Sequence, residues 1–318
     1  MRALRVLFAL VITASLAVSL RVPAEADVVA PTPSWLSCPD AATLSAARGV
    51  VLLVPGTGSR PAESFGWGYQ RALTADGFAT CTVALPQDGL GSFTDAAVRV
   101  RSAIEMTAVL AGRSISVVGH SQGGALPVWD VKFWPQIAPL VDDIVSLSGP
   151  FGGTRLGNEL CLLRRCSGLA WQLRVGSRTV KALRTAPLPT GDDAPAITSL
   201  AAPYDEIVRP QPAASQLDGA TNIVLTKVCP LDPSEHGLIL GDPVGYALTL
   251  DALTHDGPAD PTRLPAGTCQ QAFIPHGDPL GTLAFVRSIA RFATGLANPL
   301  RWVSREPALP AYAEPYAG

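Results

Sequence analysis

The stretch Ile115-Ser116-Val117-Val118-Gly119-His120-Ser121-Gln122-Gly123-Gly124 decides how this chain is read. It opens on a short, largely β-branched run, the pattern of a buried strand. Gly119 to Gly123 then fits G-x-S-x-G, and Ala125-Leu126 follow as a helix start. A serine on such a strand-to-helix turn sits at positive φ. Side chains at the neighbouring glycines would strike the incoming strand or the outgoing helix. The turn lifts the serine hydroxyl clear of the sheet and sets the next backbone N–H, that of Gln122, where an oxyanion would form. An ordinary Gly/Ser turn would also match the bare pattern; the flanking strand and helix favour a nucleophile elbow.

Outward from this point, strands and helices alternate. Val50-Val51-Leu52-Leu53-Val54 reads as a buried strand, and Phe78–Val83 as another. Apolar Ala97, Val100, Ile104 and Ala108 recur at helical spacing, which predicts a helix from Thr94 or Asp95 to about Ala111. Asp143–Leu147, Ile197–Ala201 and Asn222–Val228 are further strand candidates, and Leu280–Gly295 is a helix candidate. This alternation predicts one α/β domain over residues 27–318: a mostly parallel central sheet covered by helices on both faces. Residues 152–195 are rich in Gly, Arg and Pro and read as a small cap or lid-like insertion. Its Leu156, Leu160, Leu162, Leu163, Leu169 and Trp171 could shield a site, or simply pack. Residues 296–318 read as a Pro-rich tail.

Composition narrows the function classes. Of 318 residues, 16% are charged, well under the roughly 25% usual for globular chains, and the net charge is −2. No basic run suggests nucleic-acid binding. Arg2 and Arg5 precede an apolar run, Val6–Leu20, and Ala24-Glu25-Ala26 supplies an A-x-A site. Residues 1–26 therefore read as a secretory signal, with the mature, extracellular chain starting near Asp27. Six cysteines (Cys38, Cys81, Cys161, Cys166, Cys229 and Cys269) behind such a signal favour three disulfides. Six allow 15 pairings, which residue spacing leaves open. No C-x-x-C pair exists and the four histidines are scattered, so no metal and no cofactor are expected.

A serine hydroxyl needs a base, and the base an orienting acid. In α/β-hydrolases these follow the nucleophile in the order acid, then histidine. Asp205 lies just past the strand Ile197–Ala201, at the carboxyl end where open α/β sheets place ligands; Glu206 could substitute on spacing. His236 follows the next strand candidate. His255 and His276 sit in turn-like stretches and read as surface histidines. His120 adjoins the nucleophile, so its side chain should point away from the serine hydroxyl, either lining the site or packing beside the elbow. Val54-Pro55-Gly56-Thr57-Gly58-Ser59 is a glycine-rich loop after the first strong strand. It is placed to give the second oxyanion N–H from Thr57, with the Thr57 hydroxyl as a possible third donor.

These residues together resemble the Candida antarctica lipase B-like family of secreted lipases, within the α/β-hydrolase superfamily. The likeness is carried by Leu53–Gly58, by Ser121-Gln122-Gly123-Gly124 with Trp129, by Tyr204–Val208 with Pro210-Gln211, and by Val228–Leu231 with His236-Gly237. A weaker match joins Trp171-Gln172, Gly176-Ser177 and Ala182–Arg184. The resemblance implies a triad of Ser121, Asp205 and His236, oxyanion donors Thr57 and Gln122, and a substrate site touching Trp129, Trp171 and Pro150. It implies disulfides Cys38–Cys81 and Cys229–Cys269, which leave Cys161 and Cys166 to each other. It further implies hydrolysis of carboxylic esters, including triacylglycerols. The partners would be a lipid or ester substrate and a transient lipid interface, for a monomeric enzyme. Acyl transfer by the same triad, or a non-catalytic scaffold of the same fold, are the alternatives. The sequence departs from the family at His120, at Ser148-Gly149-Pro150-Phe151 where an acidic residue is absent, and throughout Leu280–Gly318.

Overall fold

Val50–Val54 (β2) is the strand around which the chain is organised, and every one of its residues is buried. Val50, Leu52 and Val54 face one hydrophobic cluster, and Val51 and Leu53 face another on the opposite side. A strand covered on both faces has no use for a polar residue, which is why the run is unbroken. The computed structural model describes residues 32–318; the signal reading of residues 1–26 lies outside them. Pro33–Gly318 form one compact unit.

The strands are β1 (Leu36–Ser37), β2, β3 (Ala79–Val83), β4 (Ile115–His120), β5 (Val141–Leu147), β6 (Cys166–Ser167), β7 (Ala196–Ala201), β8 (Thr221–Val224) and β9 (Trp302–Val303). Seven form one sheet in the order β1-β3-β2-β4-β5-β7-β8. All neighbours are parallel except β1, which runs antiparallel at the β3 edge. The helices are α1 (Ala41–Ala46), α2 (Pro61–Ser64), α3 (Tyr69–Ala75), α4 (Phe93–Ala111), α5 (Gln122–Phe133), α6 (Arg155–Leu160), α7 (Gly168–Leu173), α8 (Arg178–Thr185), α9 (Leu225–Val228), α10 (Pro243–Thr254) and α11 (Leu283–Ala297). Residues of α4 and α5 build the cluster on one face of the sheet, and those of α3 and α10 the cluster on the other. This is the α/β-hydrolase fold. Among the described residues no helix is long and apolar enough to cross a membrane.

Two expectations shift in detail. Helix α4 is capped by Ser92, whose hydroxyl accepts the Asp95 N–H, so the helix starts at Phe93 rather than at Thr94. Asn222–Val228 is not one strand. It changes at Leu225 to a helical turn, closed by the Cys229 N–H to the Leu225 carbonyl. The Pro-rich tail packs onto the domain. Leu309, Ala313 and Ala317 are buried in the core, and Glu306 accepts the Arg178 and Thr179 N–H groups at the start of α8. The disulfides are Cys38–Cys81, Cys161–Cys166 and Cys229–Cys269.

Candidate active site

Ser121 joins β4 to α5 at φ 55° and ψ −129°, the strained backbone that the G-x-S-x-G spacing predicts. Two close approaches show why the glycines are needed. A Cβ on Gly119 would lie 2.1 Å from the Gly123 carbonyl oxygen, and one on Gly123 would lie 2.2 Å from that of Val54. Both are backbone obstacles that no rotamer change relieves. The Ser121 N–H donates to the Leu147 carbonyl at 2.8 Å, tying the turn to β5.

Thr57 lies in the loop after β2, beside the elbow: a Cβ on Gly56 would come within 2.8 Å of the Ser121 Cβ. Neither the Thr57 N–H nor the Gln122 N–H is spent on a hydrogen bond among the described residues. Gln122 is the first residue of α5, where a backbone donor has no intrahelical acceptor and sits at the positive end of the helix dipole. The Thr57 hydroxyl is already engaged, donating to Gln122 Oε1 at 2.9 Å. A role as third donor would require it to leave that partner.

Asp205 follows β7 and is buried. Its Oδ1 accepts the Ile207 and Val208 N–H groups at 2.9 and 2.6 Å, and its Oδ2 meets His236 Nδ1 at 2.8 Å. The carboxylate therefore holds the Nδ1–H tautomer and leaves Nε2 free to accept a proton. Burial works to raise the Asp205 pKa, but the His236 charge and the hydrogen bonds outweigh it, and the value falls below the ordinary one. Burial works to lower that of His236, but Asp205, with Glu206 and Glu235, lifts it above an ordinary imidazole. Glu206 does not replace Asp205. It approaches the His236 backbone N–H instead, at 3.4 Å.

His120 both lines the site and packs beside the elbow. Its Nε2–H donates to the His236 carbonyl at 2.8 Å, and the two rings lie 4.8 Å apart. Burial, reinforced by the neighbouring His236, pushes its pKa down to about 3, so it stays neutral. His255 is half-exposed beside Asp251 and His276 sits in a left-handed turn; neither lines the cavity.

Ser121 and His236 open into one cavity of about 300 Å³, with His120, Glu206, Glu235, Trp67 and the underside of α11 as walls. The Ser121 hydroxyl and the His236 ring make no hydrogen bond to each other among the described residues. A second, narrower cavity also starts at Thr57 and Ser121. It is apolar, bounded by Pro150, Leu156, Leu160, Leu169, Val208, Phe292 and Leu296. Pro150 thus lines this cavity beside Ser121. The two tryptophans do not. Trp129 is wholly buried against Phe93 and Phe133 in the core, because its side of α5 faces α4. Trp171 turns into the Cys161–Cys166 cluster, where its indole N–H donates to the Val303 carbonyl.

Helix α11 is the wall that the sequence reading missed. Phe285, Ser288, Ile289 and Phe292 all face the first cavity. Its anchor is Arg291, which forms a two-pronged pair with Glu63 at 2.7 and 3.0 Å and donates to the Gly58 carbonyl at 2.8 Å. Ser288 donates to the same carboxylate at 3.0 Å. Arg291 first and its hydrogen bonds hold the Glu63 carboxyl down to about 2 against the opposing effect of burial. Phe285, Val286, Ile289, Phe292 and Leu296 fall on one stripe of the helix; the stripe is legible in the sequence, but not what it covers.

With this geometry in place, similarity to known proteins becomes informative. Lipase B of Pseudozyma antarctica is 30% identical over 233 residues, 69% of this chain and 65% of that protein. The solved lipase B of Aspergillus fumigatus superposes with a TM-score of 0.78 at 25% identity, over 88% of this chain and 70% of that one. By sequence and by fold the chain is similar to lipase B proteins of the α/β-hydrolase superfamily. The stretch shared with the Pseudozyma protein spans just under two thirds of that relative's length. A Bacillus licheniformis lipase in its propeptide form shares the fold at a TM-score of 0.51 and 14% identity, over 72% of this chain and 55% of that one. No family model matches the chain.

Proposed function

We propose that this chain is a serine hydrolase of carboxylic esters, acylglycerols among them, acting through Ser121, His236 and Asp205. The observation that supports it best is the Asp205–His236 pair at 2.8 Å, brought to the same cavity as a positive-φ serine. His236 Nε2 takes the Ser121 proton while Oγ attacks the ester carbonyl. Asp205 keeps the ring oriented and stabilises its charged form. The developing oxyanion accepts from the Thr57 and Gln122 N–H groups, each worth on the order of 3 kcal/mol of barrier. His236 then gives its proton to the leaving alcohol, and water repeats the sequence on the acyl-enzyme. The predominantly apolar walls of both cavities favour substrates with aliphatic groups. Three disulfides agree with an extracellular, oxidising site of action for a chain exported by residues 1–26.

The test is a hydrolysis profile on p-nitrophenyl esters from acetate to palmitate and on emulsified triacylglycerol. Ser121→Ala should lose roughly 10⁵-fold or more in turnover with unchanged circular dichroism. Activity retained in that variant would sink the assignment. Turnover confined to short esters would keep the mechanism and exclude acylglycerols.

A further inference from the structure

Cys161 and Cys166 close a small ring whose intervening residues are Leu162, Leu163, Arg164 and Arg165. Leu162 is 76% exposed and Leu163 89%. Neither arginine joins an ion pair among the described residues, and the preceding acid, Glu159, is taken by Arg209 at 2.6 Å. The ring continues into β6, which pairs with β9 (Ser167 opposite Trp302, Cys166 opposite Val303). Leu300, Trp302 and Val303 are exposed there as well. At the base of the ring an apolar cavity, lined by Leu160, Cys166, Phe292, Leu296 and Trp302, shares Leu160, Phe292 and Leu296 with the one that begins at Ser121.

We propose that the Cys161–Cys166 ring is a docking tip that inserts Leu162 and Leu163 into an anionic lipid surface. A disulfide-closed ring this short cannot turn its leucines inward, and the order needed for binding is already built in. Adjacent exposed leucines mark an interaction surface rather than chance exposure. The two arginines specify the sign of the partner: a neutral lipid droplet gives them nothing to meet, whereas anionic headgroups do. The whole chain carries a net charge of −2, so the attraction belongs to the tip. Docking there would set the apolar cavity running toward Ser121 against the lipid. The delivery argument rests on the proposed ester hydrolysis; docking itself does not require turnover.

The full chain and its Ser121→Ala variant are mixed with vesicles of phosphatidylcholine, alone or with phosphatidylglycerol, and bound protein is measured by flotation. Both forms should bind the anionic vesicles equally, bind neutral ones weakly, and be released by salt. Arg164→Gln with Arg165→Gln should weaken binding about thirty-fold. Leu162→Ser with Leu163→Ser should weaken it at least about tenfold. Both double variants should keep their melting temperature and their turnover of a short soluble ester. Equal binding to neutral vesicles, or undiminished binding by either double variant, overturns the proposal. So does absence of vesicle binding by the active wild-type protein, which would assign the tip to a protein partner. Vesicle binding without ester turnover would instead reject the hydrolase reading and leave docking standing.

Discussion

The floor of the site and its roof are built on opposite principles. The floor is β2, β4 and the elbow, where backbone lies on backbone: the Gly119 and Gly123 positions leave about 2 Å for atoms that would need far more. The roof is α11, where Ser288 is the one fully buried residue and the hold comes from side chains gathered on Glu63. Backbone contact admits no compromise, so a floor of this kind can be read from its glycines. Side-chain contact can be exchanged for another set, so a roof of this kind leaves no fixed mark in the sequence.

A matched pair of substitutions puts most strain on that contrast. Gly123→Ala drives a methyl into the Val54 carbonyl and should cost more than about 4 kcal/mol, or prevent folding. Gly295→Ala in α11 meets only the Leu90 side chain, at 2.5 Å, which can move. It should stay within about 1.5 kcal/mol once the gain in helix propensity is counted. Chemical denaturation of the two variants measures the difference, and equal costs would erase the distinction.

Removing the pin comes next. Arg291→Ala should loosen α11 by about 2 kcal/mol, read as faster amide exchange confined to Leu283–Ala297 and as changes in both KM and kcat. Acid should do the same to the wild-type protein. The Glu63 pKa is lowered in the folded state, so its stabilisation is complete above about pH 4.5 and is lost as pH falls toward about 2. Asp205, also lowered, acts in the same direction. Glu63→Gln should remove the Glu63 part of that acid sensitivity in a pH series of amide exchange.

The smallest effect sharpens the floor. On the proposed mechanism His236 must be neutral to accept the serine proton, so its raised pKa should place the acid limb of kcat/KM above the ordinary histidine range. Glu235→Gln removes a negative charge, lowers that pKa and should move the limb toward acid by roughly half a pH unit. A limb that stays fixed would assign the titration to another group.

The same contrast explains what the sequence disclosed. Val50–Val54 was legible because a strand buried on both faces leaves an unbroken apolar run, and Ser121 because its turn demands glycines at fixed offsets. Asp205 and His236 were legible as ordered loop residues near strand ends. Their pairing could be expected from chain order, but the choice over Glu206 depended on the Ile207 and Val208 N–H groups fixing the Asp205 carboxylate. Trp129 and Trp171 were misplaced because an aromatic on a helix does not declare which side is core. The role of α11 was hidden for a similar reason. Its periodicity gives a helix, but nothing local says that it lies over Ser121.

Gly58 sits where floor and roof meet. It follows Thr57, its φ is +73°, and a Cβ there would come within 2.7 Å of the Phe292 backbone in α11; Arg291 also grips its carbonyl. The helix that walls the cavity is therefore also a brace for the loop that carries the Thr57 N–H. If the proposed mechanism holds, breadth and speed share one hinge point: drawing α11 back to admit bulkier esters would slacken an oxyanion donor. A variant selected for new substrates should do better to recut the far wall, near Leu156 and Trp302, where shape can change without reaching the chemistry.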